Sequence, residues 1–131
     1  MCDGKKGEAL ENIVYSGRQM GKSLLLEKQI KNQILSWLRT QGVFAWQNDS
    51  VGIWDAKRGV YRKQRGPYHL RGVSDILGIW QGKFLAIEVK TKTGRVSPEQ
   101  AAYLDTVNAK GGIGLVARSL DEVIFKLGNM R

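Results

Sequence analysis

The stretch 74–90 constrains the fold of this 131-residue chain more tightly than any other. Side chains of an extended strand alternate between two faces. Along 84–90 this puts Phe84, Ala86, Glu88 and Lys90 on one face and Leu85, Ile87 and Val89 on the other. An otherwise apolar strand therefore ends with a Glu and a Lys pointing the same way. The preceding run, 74–80, reads as its partner, and Gln81-Gly82 suits a two-residue hairpin turn. That turn pairs Trp80 with Lys83 and sets Asp75 directly opposite Glu88.

Cross-strand neighbours have Cβ atoms ~4.5–5.5 Å apart. Two carboxylates at that separation repel each other unless a cation lies between them. A hard divalent ion with a preference for oxygen, Mg²⁺ or in its place Mn²⁺, is the natural occupant. Lys90 stands beside the pair, where an ammonium orients a water, stabilises a developing hydroxide or holds a phosphate. Those are the requirements of phosphodiester hydrolysis.

The rest of the chain reads as one α/β domain. A helix is expected from Ser23, as N-cap, to near Gly42, with Leu26, Ile30, Ile34, Leu35 and Leu38 at helical spacing. Glu27 falls on that apolar stripe, so it is either a carboxylate for the metal site or an acid at the stripe's edge, favoured by the helix dipole. Short strands follow at 43–46 and 51–54, joined around Asn48-Asp49-Ser50. After the hairpin, Ser97-Pro98-Glu99-Gln100 opens a helix with a capping box. It runs to about Lys110, a buried strand spans 113–117, and Ser119 caps a last helix. The expected order is a helix, a run of three or four strands, then helix, strand and helix (α-β-β-β-α-β-α with three), a mixed sheet flanked by helices. Residues 1–22, rich in Gly and Lys, read as a flexible extension, and 23–131 as the single domain. The four tryptophans lie in apolar contexts and are assigned to the core.

Charge narrows the partner. Lys and Arg number 21 against 12 Asp and Glu, a net +9. That points to a polyanion. Six of the fifteen residues 57–71 are basic and none is acidic. Lys57, Arg58, Arg62, Lys63, Arg65 and Arg71 there, with Lys92 and Arg95 after the strand end, are candidate phosphate contacts, the alternative being solvated loops. Tyr61, Tyr68 and His69 would stack on bases or pack under the loop. A lone cysteine, Cys2, excludes an internal disulfide and a zinc cluster. With no apolar run of membrane-spanning length and no apolar signal core, the expected location is the cytoplasm. The segment 16–23 looks like a phosphate-binding Walker A loop. No second acidic motif accompanies it.

These motifs resemble the PD-(D/E)XK nuclease superfamily, and within it the VRR-NUC (virus-type replication-repair nuclease) branch. Residues 71–78 look like the family's Gly-x-Pro-Asp segment, with Ser74 where Pro usually stands. Residues 86–90 look like its Glu-x-Lys strand, and 91–100 its linker and Gln-bearing helix. The resemblance covers about 24–127. It implies a restriction-endonuclease-like core, metal binding by Asp75 and Glu88 with the backbone carbonyl of Val89, Lys90 as catalytic lysine, and Glu27 and Gln100 in support. Gln100 has a structural role open to it as well, as the capping-box residue. Standalone members of the branch, typically phage-encoded, resemble homodimeric enzymes that cut branched DNA such as Holliday junctions. The rival expectation is a basic DNA-binding module without catalysis, which leaves two acids aimed at one point unexplained. RNA is a further alternative as substrate.

Overall fold

The computed structural model describes residues 19–49, 53–62 and 66–130. Its elements are α1 (Gln19–Thr40), β1 (Phe44–Gln47), β2 (Ile53–Asp55), β3 (Val60–Arg62), β4 (Ile76–Trp80), β5 (Lys83–Val89), α2 (Pro98–Ala109), β6 (Ile113–Ala117) and α3 (Leu120–Gly128). Four strands form one mixed sheet in the order β1-β4-β5-β6, and β2 and β3 form a separate hairpin. The first two contacts of the sheet are antiparallel and β5–β6 is parallel. A parallel neighbour requires a crossover, and α2 supplies it.

Alternation along β5 divides the interior. Leu85, Ile87 and Val89 face α1 and α3 in the main core, with Ile34 and Leu38 of α1 and Val123 and Leu127 of α3. Ala86 faces α2 in a second cluster with Leu104 and Val107, bordered by Leu77, Tyr103 and Val116. The sheet is thus covered by helices on both faces at β5, which explains why this strand is apolar on both sides.

The hairpin forms in the expected register, from Trp80 opposite Lys83 to Ile76 opposite Ile87. Its turn carries positive φ at Gln81 (49°) and Gly82 (81°), the pattern of a type I′ turn. The end of α1 is closed by a Schellman pair, in which Gly42 N–H donates to Arg39 O (2.9 Å) and Val43 N–H to Leu38 O (3.0 Å). Val43 packs on the main core and leads the chain into β1.

Three expectations are corrected. The helix α1 begins at Gln19, so Ser23 lies inside it and is not its N-cap. Gly21-Lys22-Ser23 of the Walker-like stretch is therefore helical, and residues 16–18 lie outside the described residues, as does most of the expected extension 1–22. The expected strands at 43–46 and 51–54, of which residues 51 and 52 lie outside the described residues, correspond to β1 and β2, and these do not pair with each other. β1 joins β4, continuing the main sheet, while β2 folds back on β3 through the turn at residues 56–59. Among the described residues five strands precede α2, where three or four were expected. Only two of the tryptophans serve the core. Trp80 is 2% exposed and stacks on half-buried Trp37 at 6.4 Å between centroids. Trp46 and Trp54 are 38% and 54% exposed and pair with Phe44 and Tyr61 on the surface. Trp46 packs on a ring of its own strand and Trp54 on one across the β2–β3 hairpin.

Trp80→Ala should cost about 3–5 kcal/mol in urea unfolding. Trp54→Ala should cost no more than about 1.5 kcal/mol, the range of an exposed aromatic pair. Equal losses would contradict this division.

Candidate active site

The β4–β5 ladder ends at Ile76–Ile87, and Asp75, one residue beyond it, lies close enough to Glu88 for the two carboxyl groups to interact directly. Two bonds hold Asp75. Its carbonyl accepts from Asn48 N–H (2.8 Å), one step beyond β1, and its Oδ2 accepts from the backbone N–H of Val89 (2.9 Å). Glu88 is almost wholly buried, 2% exposed. Its Oε1 accepts from Gln100 Nε2 (2.8 Å) and lies 3.7 Å from Lys90 Nζ. Its Oε2 is buried without a hydrogen-bond partner among the described residues. Lys90 is itself largely sheltered, 15% exposed at the side chain.

Burial, and then the charge of Asp75, push the Glu88 carboxyl up to about 8, against the pull of Lys90 in the other direction. An apolar neighbourhood disfavours the ionised form, and a second carboxylate does so again. One ammonium does not offset both. Near neutral pH the pair therefore holds a proton. A hard cation would replace that proton, and the orphaned Oε2 beside Asp75 provides oxygen ligands of the type such ions take.

Gln100 is bound at both ends of its amide. Its Oε1 accepts from Ser97 N–H (2.9 Å), while Ser97 Oγ accepts from Gln100 N–H (3.1 Å). The reciprocal capping box leaves the Gln100 NH₂ group aimed at Glu88. The structural and the site reading of this residue are both realised by one side chain. Gly72 locks the two motifs together. It adopts φ +74°, and a Cβ there would overlap the carbonyl of Glu99 and lie 2.6 Å from Gln100 N. Only glycine allows the backbone before Asp75 to rest on the first turn of α2. Ser74, at the position between them, is fully buried.

The other expected residues lie in varied places. Glu27 is half-buried on α1. Among the described residues no group of three or more Asp, Glu, His or Cys side chains is placed to hold a metal. In the basic segment, Arg58 and Arg62 both approach Asp55 Oδ2, at 3.9 and 3.5 Å, so an acid just outside the segment holds part of its charge. Lys57, Arg71, Lys92 and Arg95 are exposed, and Lys63 and Arg65 lie outside the described residues. Val89 contributes its N–H to Asp75, which brings its peptide to the pair.

A comparison with family models matches the VRR-NUC domain over residues 5–121. The chain belongs to the VRR-NUC family. A VRR-NUC domain is a nuclease of the PD-(D/E)XK type, which makes DNA its partner, and such nucleases generally use divalent metals. The mixed sheet flanked by helices agrees with a restriction-endonuclease-like core. A comparison with curated proteins finds no match. Among the described residues no helix is long and apolar enough to cross a membrane.

One residue of this VRR-NUC domain escaped the sequence reading. Arg118, just after β6, donates from Nη1 to the carbonyls of Thr91 (2.6 Å) and Gly94 (2.7 Å) and so closes the turn that follows Lys90. Only the parallel β5–β6 register brings it there.

The raised Glu88 group has a signed consequence. In the folded, metal-free protein it keeps its proton to about pH 8, whereas the unfolded chain loses it near the ordinary value of 4.5. Its contribution to stability is full below about pH 4.5 and is lost as pH rises to about 8. In EDTA, the melting temperature of Glu88→Gln relative to wild type should therefore climb across that window and level off above it. A difference independent of pH would contradict the assignment.

Proposed function

We propose that this chain is a metal-dependent DNA endonuclease whose preferred substrates are branched, Holliday junctions among them. The observation that carries the reading is the facing pair Asp75–Glu88 with its orphaned oxygen, flanked by Lys90 and Gln100. A purely DNA-binding module has no use for a buried acid facing a second, half-buried one beside the surface meant for phosphates.

In this reading Asp75, Glu88 and the Val89 carbonyl would hold Mg²⁺, with Mn²⁺ able to replace it. Such an ion polarises a phosphoryl oxygen and lowers the pKa of bound water. Lys90, aligned by its ion pair with Glu88, holds the attacking water and neutralises charge developing on the phosphoryl group. Gln100 fixes the carboxylate plane of Glu88 through its Oε1. Glu27 would act at longer range from α1. Lys57, Arg58, Arg62, Lys63, Arg65, Arg71, Lys92 and Arg95 would meet the DNA backbone, giving affinity with little sequence information. The preference for branched DNA and a homodimeric assembly rest on the family resemblance. Two copies would offer two sites to two strands.

The test is cleavage of linear duplex, flap and four-way-junction DNA in Mg²⁺, Mn²⁺ or EDTA. The expected result is cutting of the branched substrates in either metal and none in EDTA. Lys90→Ala and Asp75→Asn should each lose at least about a hundredfold in rate while still binding DNA. Undiminished cutting by Asp75→Asn would remove the site, and equal cutting of linear duplex would remove the branch preference.

A further inference from the structure

β6 continues the site onto a residue outside the expected set. In β6, Gly114 and Val116 alternate with the core-facing Ile113, Leu115 and Ala117, and Val116 borders the α2-side cluster. Arg118 follows directly after the strand. The parallel register pairs Glu88 with Val116 and Val89 with Ala117. The Lys90 N–H to Ala117 O bond (2.9 Å) closes this last pair, and Arg118, the residue after it, reaches back with Nη1 to the carbonyl of Thr91, next to Lys90.

The guanidinium is used on one side only. Nη1 makes all of its contacts, to the carbonyls of Thr91 and Gly94 and, at 3.5 Å, of Lys92. The Nε–Nη2 edge, the fork that suits carboxylate and phosphate oxygens, has no partner among the described residues. No carboxylate among them lies within ion-pair distance of Arg118 either, although the side chain is half-buried. A cation withdrawn from water, fixed by three neutral carbonyls and offered no acid, is a preorganised anion site. Lys92 and Arg95 stand exposed around the turn it closes and add to the same field.

We infer that Arg118 binds a backbone phosphate of the nucleic acid through its Nε–Nη2 edge, next to the phosphate that Lys90 serves, while its Nη1 holds the turn of residues 91–94. This rests on the nuclease reading for the identity of the anion.

Binding to a fluorescent oligonucleotide duplex, followed by anisotropy in EDTA from about 50 to about 200 mM salt, tests it without requiring cleavage. Arg118→Gln keeps an amide donor for the turn but carries no charge. It should weaken binding roughly tenfold and lower the slope of log affinity against log salt by about one phosphate's worth. Arg118→Lys keeps the charge and should keep the slope, which separates phosphate binding from damage to the turn. Normal wild-type binding with an unchanged slope in Arg118→Gln overturns this inference alone. A slope lost equally in both variants, with a lowered melting temperature, overturns it in favour of a purely structural clamp. Wild-type protein that shows no salt-dependent binding overturns the nuclease reading with it.

Discussion

Two carboxylates facing each other at the inner end of a hairpin, one of them almost wholly buried, are the constraint around which this molecule is organised. Left alone, the pair is unfavourable, because burial and mutual repulsion both penalise its charged form. The fold answers with specific donors. The Val89 N–H and the Asn48 N–H fix Asp75, and Gln100 and Lys90 share Glu88 Oε1. One oxygen remains without a donor, and the Glu88 carboxyl titrates near 8. An arrangement so costly for the bare protein makes sense as half of a binding site whose other half is a cation.

The same elements that bury the pair also position it. The type I′ turn fixes the register, the Ser97–Gln100 capping box aims an amide at Glu88, and Gly72 lets the chain before Asp75 rest on that box. Charge on the outside is divided less evenly than composition suggests. Part of the 57–71 segment is tied to Asp55, whereas Lys92, Arg95 and Arg118 gather at the turn that follows Lys90.

What was legible in the sequence were the features set by local rules. A two-residue turn and strict alternation place Asp75 opposite Glu88 without reference to anything distant, and a Ser-Pro-Glu-Gln run specifies its own helix start. Nonlocal choices were not legible. Pairing of β1 with β4 rather than β2 depends on which edge of the sheet is open. Exposure of Trp46 and Trp54 depends on which faces the helices cover, and apolar neighbours in sequence do not report that. The same holds for Arg118, since its place beside Lys90 follows from a parallel register that only the α2 crossover creates. Glu27 illustrates the limit of spacing from the other side. Helical periodicity puts it on the apolar stripe, and it is half-buried there, but periodicity does not say which neighbour it meets.

Titration of Mn²⁺ into wild-type protein and Asp75→Asn by calorimetry, above the pH at which Glu88 ionises, tests the central claim most directly. Saturable binding by the wild type, weakened at least about tenfold in the variant, is the result expected of a cation held between Asp75 and Glu88. Equal binding by the two proteins would contradict it.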